Sequence, residues 1–187
     1  MEEWATNLLV VMFYLPVAIG SLLYLFQSGG EYALVVRTLG EHPGRDVGLG
    51  LGSGSAVAIA TWIGTPQFAV TRRMSVAFVR VLGQPGWFAC ALLALASALG
   101  EELLFRAVLQ QVLGWPIATV LFALAHFPVD RDLWAWPLFA IPIGLLFAAL
   151  YGWTGAALAP IVAHAVIHYA NLRWISRLGS GATGSAR

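Results

Sequence analysis

The sequence predicts an all-α membrane protein, a bundle of about six transmembrane helices around a polar intramembrane site. Hydrophobic residues make up 59% of the chain and charged residues only 10%, whereas a soluble domain is about 25% charged. Mean hydropathy is +0.79. Apolar stretches close to the roughly 20 residues that span a bilayer recur along the 187 residues. The chain therefore has too few charged groups to cover a water-facing surface.

The predicted spans follow one another with short connections. Pro16 lies inside the first span, a polar connector covers 27–46, and the Gly- and Ser-rich second span is suited to close helix packing. An arginine-containing interfacial segment at 71–86 precedes the third span, and Gly114-Trp115-Pro116 forms a turn after it. The six spans are 8–26, 47–70, 87–109, 117–127, 133–151 and 156–175.

The spans account for most of the chain. Residues 1–178 are predicted to form one integral membrane domain, and the Gly-, Ser- and Ala-rich segment 179–187 a disordered tail. Arginines cluster at 72–80 and again after 172, so the positive-inside rule predicts that both termini are cytoplasmic. All ten basic residues are Arg, which is typical of GC-rich bacteria and favours a bacterial inner membrane. With a net charge of +1, no nucleic-acid partner is expected.

Ionisable side chains inside spans are costly and usually functional. Glu101, Glu102 and Arg106 lie within the third predicted span. Residues four apart share a helix face, so Arg106 is expected to pair with Glu102, whereas Glu101 points elsewhere without a local partner. An unpaired buried carboxylate suits a general base, so Glu101 is the candidate catalytic residue.

Later spans add histidines at membrane depth. His126 ends the fourth span, and His164 and His168 share a face of the sixth span, with Asn171 two turns beyond His164. A lone membrane histidine more often forms a hydrogen bond between helices than a catalytic site. Three histidines together with a glutamate pair favour a convergent site.

These residues resemble the ordered motifs of a known family. Glu101-Glu102-x-x-x-Arg106, Phe122-x-x-x-His126 and His164-x-x-x-His168 are similar to the motifs of the CAAX-protease and bacteriocin-processing (Abi, CPBP) family of glutamic intramembrane endopeptidases. The resemblance covers about residues 87–175. It implies hydrolysis of a peptide or protein substrate at the membrane, with no cofactor.

The resemblance also implies a role for each matching residue. Glu101 corresponds to the catalytic glutamate, His126 to the histidine that activates water with it, and His164 to an oxyanion donor. Glu102 and Arg106 correspond to the supporting pair. His168 stands where the family usually has Asn, and either His168 or Asn171 could be the second oxyanion donor.

Two alternatives remain open on the sequence. Zinc could be bound by Glu101, His126, His164 and His168, which have suitable ligand atoms. The chain could instead be a non-enzymatic membrane scaffold, immunity protein or small transporter whose polar residues line a binding cavity. Nothing in the residues selects a substrate among a bacteriocin leader, a membrane-anchored regulator and a C-terminal sorting tail.

Overall fold

The computed structural model describes residues 3–128 and 130–184, and within these ranges the chain is helical and contains no β-strand. The predicted helical membrane bundle is therefore confirmed. Eight α-helices are interrupted by one π-helix and one 3-10 helix. In chain order they are α1 (Glu3–Leu39), α2 (Pro43–Gly64), α3 (Ala69–Leu82), α4 (Trp87–Glu102), the π-helix (Leu103–Leu109), α5 (Gln110–Leu113), α6 (Trp115–Ala125), the 3-10 helix (Arg131–Leu133), α7 (Trp136–Thr154) and α8 (Leu158–Gly184).

Four helical segments in the described part of the chain are long and apolar enough to cross a membrane. Large apolar side chains on them point outward, as Phe13 (66% exposed) and Trp153 (69%) do, which suits contact with lipid rather than water. α6 has only 11 residues, and α8, which carries histidines and arginines, is not among the four. The number of six spans therefore stays a prediction. The four segments are Val10–Leu39, Pro43–Gly64, Trp87–Leu113 and Arg131–Thr154.

Contacts between chain segments show how the helices run through the bundle. At one end of the bundle, the amide of Ala157 donates to the carbonyl of Arg37 over 2.9 Å. At the other end, Arg80 at the end of α3 bonds Asp132 over 2.7 Å, and Ser176 of α8 donates to the Pro85 carbonyl over 3.4 Å. These contacts agree with the six predicted passes, of which those by α6 and α8 lie outside the four apolar segments.

The first helix is longer than the sequence predicted. Residues 27–46 were predicted as a polar connector, but α1 continues to Leu39. The interruption is local: Gly29 and Gly30 leave helical geometry, and Gly30 has a φ of 66°, which glycine adopts without a Cβ clash. The helix resumes because Ala33 and Leu34 still pack against the core despite their charged neighbours.

Close packing joins α2 to α8. A Cβ built on Gly50 would lie 2.6 Å from the Ala159 carbonyl oxygen, and one on Gly54 would lie 2.8 Å from that of Ala163. These two glycines therefore allow the backbones to approach more closely than any side chain would permit. The close packing predicted for the second span is confirmed.

α3 occupies the segment that was predicted to be interfacial. It buries Met74 and Ala77 against Leu133 and Ala135. At the other end, α8 continues as a helix to Gly184, beyond residue 179 at which a disordered tail was predicted. Residues 185–187 lie outside the described part of the chain.

The helical hairpin around Gly114 brings Glu101 and His126 to the same level along the helix axes. α5 ends at Leu113, Gly114 reverses the chain with a φ of 82°, and Pro116 lies in the first turn of α6. Glu101 lies 13 positions before this turn and His126 lies 12 positions after it. Because α6 runs back beside the π-helix and α7, it returns His126 to the level of Glu101.

Candidate active site

The two adjacent glutamates lie at the end of α4, where the helix changes its winding. A seven-residue π-helix, Leu103–Leu109, begins directly after Glu102 and contains Arg106. π-Helical turns are rare and are frequently found at functional sites. The sequence contains no signal that predicts this change, because the same residues are compatible with an ordinary α-helix.

Glu102 is the centre of a fully buried charged cluster. Its Oε2 accepts a hydrogen bond from Arg106 Nε over 3.1 Å, and its Oε1 accepts one from His164 Nδ1 over 2.8 Å. Glu102 and Arg106 have no solvent exposure. The predicted i, i+4 pair is confirmed, and His164 is a third member that only the tertiary structure reveals.

Arg106 is held by shape as well as by charge. Its guanidinium lies over the Phe122 ring, 5.0 Å from the centroid. Gly144 of α7 leaves the adjacent space free, since a Cβ there would lie 3.1 Å from Phe122 and 3.6 Å from Arg106. The two terminal guanidinium nitrogens are buried and have no hydrogen-bond partner among the described residues.

Glu101 points away from this cluster, as its position in the helix predicted. Its Oε1 accepts a hydrogen bond from the Tyr14 hydroxyl over 2.9 Å. Its Oε2 lies 3.6 Å from His126 Nε2 and forms no hydrogen bond within the described structure. Both side chains are about one-seventh exposed, at 15% for Glu101 and 14% for His126.

His126 is oriented by its own helix. It follows the last residue of α6, and its Nδ1 lies 2.7 Å from the Phe122 carbonyl oxygen. A carbonyl only accepts, so Nδ1 carries a proton, and in its neutral form the ring presents an Nε2 lone pair toward Glu101. The edge of Trp136 packs on the ring at a centroid distance of 5.2 Å, which supports this orientation.

His168 also has a defined partner. Its Nδ1 lies 2.8 Å from the hydroxyl of Ser97, a buried residue one turn before Glu101 in α4. His164 stacks on His168, with centroids 5.7 Å apart, and on Phe147 on its other side at 5.1 Å. The three motif histidines and Glu101 are thus brought to one region, as predicted.

Asn171 is placed differently from His168. It lies on α8 about 4.5 Å beyond His168 along the helix axis. Its Oδ1 is buried and has no hydrogen-bond partner in the part of the chain that the structure describes. Unlike His168, which stacks on His164, Asn171 is not described in contact with another residue of the site.

The zinc alternative stays a prediction. No three His, Cys, Asp or Glu side chains among the described residues form a group that could hold a metal ion. The Nδ1 atoms of His126, His164 and His168 face a carbonyl, a carboxylate and a hydroxyl. Metal-binding histidines have such partners too, so these contacts do not decide between the two interpretations.

Sequence reasoning missed three contributors to this site: Tyr14, Ser97 and Phe147. Tyr14 lies in a first helix that was assigned only by its apolar character. A small hydroxyl in α4 and a phenylalanine in an apolar span carry no signal of their own, because such residues are abundant in membrane helices. Tyr14 had one available signal: it is a polar aromatic group within an otherwise apolar run.

Comparison with known proteins identifies the segment that carries the site. Residues 83–170, a little under half of the chain, match the family described as type II CAAX prenyl endopeptidase Rce1-like. The resemblance to CAAX proteases is thereby confirmed over this segment. The uncharacterized protein YpbD of Bacillus subtilis is 42% identical over 77 residues, which cover 40% of this chain and 39% of YpbD. No solved structure matches the chain.

Proposed function

Because residues 83–170 form an Rce1-like domain, we propose that the protein is an integral membrane endopeptidase. It hydrolyses a peptide bond with a water molecule that Glu101 and His126 activate. Membrane insertion is supported by the four apolar segments, and the arginine distribution favours a bacterial inner membrane with both termini in the cytoplasm.

The observation that carries this proposal is the pair formed by Glu101 Oε2 and His126 Nε2, 3.6 Å apart. With Nδ1–H of His126 given to the Phe122 carbonyl, the neutral ring and the carboxylate are both acceptors. We place one water molecule beside the pair, where it donates one O–H to each acceptor; a polar contact beyond 3.5 Å is one at which a water bridge has to be considered. The oxygen of that water keeps its lone pairs free for attack.

The reaction follows from these proton positions. Glu101 takes a proton from the water, and the resulting hydroxide attacks the carbonyl carbon of the scissile peptide bond. The carbonyl oxygen becomes an oxyanion as the C–O bond forms. The C–N bond then breaks as Glu101 returns the proton to the leaving nitrogen, which gives a carboxylic acid and an amine.

The two histidines of α8 are the proposed oxyanion donors. His164 gives Nδ1–H to Glu102, so its Nε2 can donate only when the ring carries both protons. His168 can donate Nε2–H as a neutral ring, provided that the Ser97 hydroxyl donates to its Nδ1. His168 thus supplies an N–H where the family usually has an Asn amide.

The proposed substrate is a peptide at or within the membrane. The family description names CAAX prenyl endopeptidases, and this name implies prenylated C-terminal tails as substrates. A bacterial host favours a segment without a prenyl group. Trp136, a partly exposed aromatic side chain that packs against His126, suits an apolar segment that approaches from the bilayer.

The experiment compares cells that carry wild-type protein, Glu101→Gln or His126→Ala, with new protein termini mapped by mass spectrometry. We expect the same set of termini to disappear in both variants, because loss of a general base costs about 10²- to 10⁴-fold in rate. Glu31→Gln is the matched control, since Glu31 is exposed on α1. The purified enzyme is expected to keep its activity on the identified peptide after treatment with EDTA or phenanthroline.

Two outcomes would contradict the proposal. If all termini persist in Glu101→Gln cells while deletion of the whole gene has a phenotype, the protein acts as a scaffold or binding protein. If chelation abolishes activity and zinc alone restores it, the reaction depends on a metal and the water is not activated by Glu101 and His126 alone.

A further inference from the structure

Tyr14 lies outside the segment that matches the family, yet it touches the proposed general base. It is half-buried on α1 and donates its hydroxyl proton to Glu101 Oε1 over 2.9 Å, across 87 positions of sequence. Phe13 packs edge-on against the Tyr14 ring at 5.0 Å. Among the described residues, the other close polar neighbour of this carboxylate is His126, on the opposite oxygen.

A glycine creates the space that this contact requires. A Cβ built on Gly100 would lie 2.9 Å from Tyr14 Cδ1, and 3.3 Å from both its Cβ and its carbonyl oxygen. The shortest of these contacts is to the ring, so a methyl group at residue 100 would displace the Tyr14 side chain, and the two contacts at 3.3 Å would also press on the base of the side chain and the backbone. Gly100 therefore lets α1 approach α4 at the residue that precedes Glu101.

The contact determines which carboxylate oxygen faces the reaction. With Oε1 held by Tyr14, the free Oε2 is the atom 3.6 Å from His126 Nε2. Without this hydrogen bond, the carboxylate could rotate about its last torsion, which is a broad and weakly restrained one for Glu. Displacement by about 1 Å from a reactive geometry can cost about 100-fold in rate.

We propose that Tyr14 is a positioning residue of the active site and that Gly100, which has no side chain, leaves the space that Tyr14 occupies. α1 is therefore part of the catalytic unit. This inference rests on the proposed function, because it concerns the orientation of Glu101 as a general base. It predicts that the Rce1-like segment alone does not contain the complete machinery.

The experiment uses the full-length protein in lipid nanodiscs and the peptide identified by terminus mapping. We expect Tyr14→Phe to lower kcat about tenfold or more, with KM within about twofold and the thermal midpoint unchanged, because it removes one hydroxyl that orients the base. Tyr24→Phe is the matched control, since Tyr24 lies on the same helix and is 41% exposed. It is expected to leave kcat unchanged.

A second pair of variants tests whether Tyr14 needs the space at Gly100. Gly100→Ala should lower kcat in the same way, because its methyl group displaces Tyr14, and Tyr14→Phe should then add little further loss. Gly20→Ala is the control, since nothing lies within 4 Å of a Cβ at that glycine of α1. Likewise, Tyr14→Phe should have no further effect in Glu101→Asp, whose shorter carboxylate does not reach the hydroxyl.

The outcomes separate this inference from the proposed function. If Glu101→Gln abolishes cleavage but Tyr14→Phe keeps the wild-type kcat, the positioning role is refuted and the endopeptidase stands. If Tyr14→Phe loses activity only in proportion to a lower thermal midpoint, the contact is structural and the inference fails. If Glu101→Gln retains cleavage, the proposed function itself fails.

Discussion

At the scale of single residues, the three site histidines differ in what holds Nδ1. His126 faces a backbone carbonyl, His164 the Glu102 carboxylate and His168 the Ser97 hydroxyl. A carbonyl and a carboxylate require a proton on Nδ1, whereas a hydroxyl can donate or accept. In the proposed mechanism, histidine therefore has three roles in one site: it accepts a hydrogen bond from water, donates one as a charged ring and donates one as a neutral ring.

Ser97 provides a test of this assignment. We expect Ser97→Ala to lower kcat about tenfold, because His168 loses the donor that keeps its proton on Nε2. In His168→Asn, which presents an amide donor that has no tautomers, Ser97→Ala is expected to have no effect on kcat. Kinetics of the four variants with the identified peptide check this expectation.

Packing changes could mimic this result, so a second serine is needed as a control. Ser53→Ala removes a hydroxyl that, among the described residues, bonds the carbonyls of Leu49 and Gly50 in its own helix, and it should leave kcat unchanged. If Ser97→Ala lowers kcat equally in the wild-type protein and in His168→Asn, Ser97 does not act by setting the tautomer of His168.

At the scale of helices, α2 presents two different glycine faces. Gly50 and Gly54 are closed by the backbone of α8, whereas a Cβ at Gly48 or Gly52 would meet nothing within 4 Å. Substitutions at the two pairs of glycines therefore test whether the close approach of the α2 and α8 backbones stabilises the bundle. The histidine-bearing part of α8 also depends on this packing for its position.

We expect Gly50→Ala and Gly54→Ala to destabilise the protein by about 1–3 kcal/mol each, as added methyl groups do in a filled core. Gly48→Ala and Gly52→Ala should leave stability unchanged or raise it by about 0.5–1 kcal/mol, because alanine favours the helix over glycine. Thermal unfolding in detergent measures these differences. Equal effects at all four positions would show that the α2–α8 contact is not close-packed.

At the scale of the whole molecule, the six predicted passes correspond to a membrane topology that can be tested. The Arg80–Asp132 contact joins the segment before α4 to the loop after α6, so both belong on one side of the membrane. The Arg37–Ala157 contact joins the end of α1 to the start of α8 on the other side. α6 would then cross the bilayer despite its 11 residues.

Labelling of single cysteines from outside intact cells checks this topology in a Cys90→Ala background. We expect a membrane-impermeant maleimide to label His42→Cys and Gln111→Cys, whereas Arg73→Cys and Arg131→Cys are protected until the membrane is permeabilised. The reverse pattern would keep the six passes and overturn the predicted orientation. Labelling of Arg131→Cys but not Arg73→Cys from outside would contradict the six-pass arrangement.

Much of the site was predictable where it depends on one helix. The separation of Glu101 from the Glu102–Arg106 pair follows from helical geometry, and the ion pair is present at 3.1 Å. The common face of His164 and His168 follows in the same way. The level of His126 follows from nearly equal residue counts on either side of Gly114, although the π-helix between them gives no sequence signal.

By itself, the sequence determined the membrane bundle, the order of the motifs and the different directions in which the two adjacent glutamates point. These depend on hydropathy and on the fixed angle between neighbouring helix positions. Only the tertiary structure decided the partners of each polar atom: Tyr14 with Glu101, Ser97 with His168 and His164 with Glu102, at separations of 87, 71 and 62 residues. Such contacts depend on how closely separate helices approach, and small residues such as Gly100 set that distance through packing that no local pattern encodes.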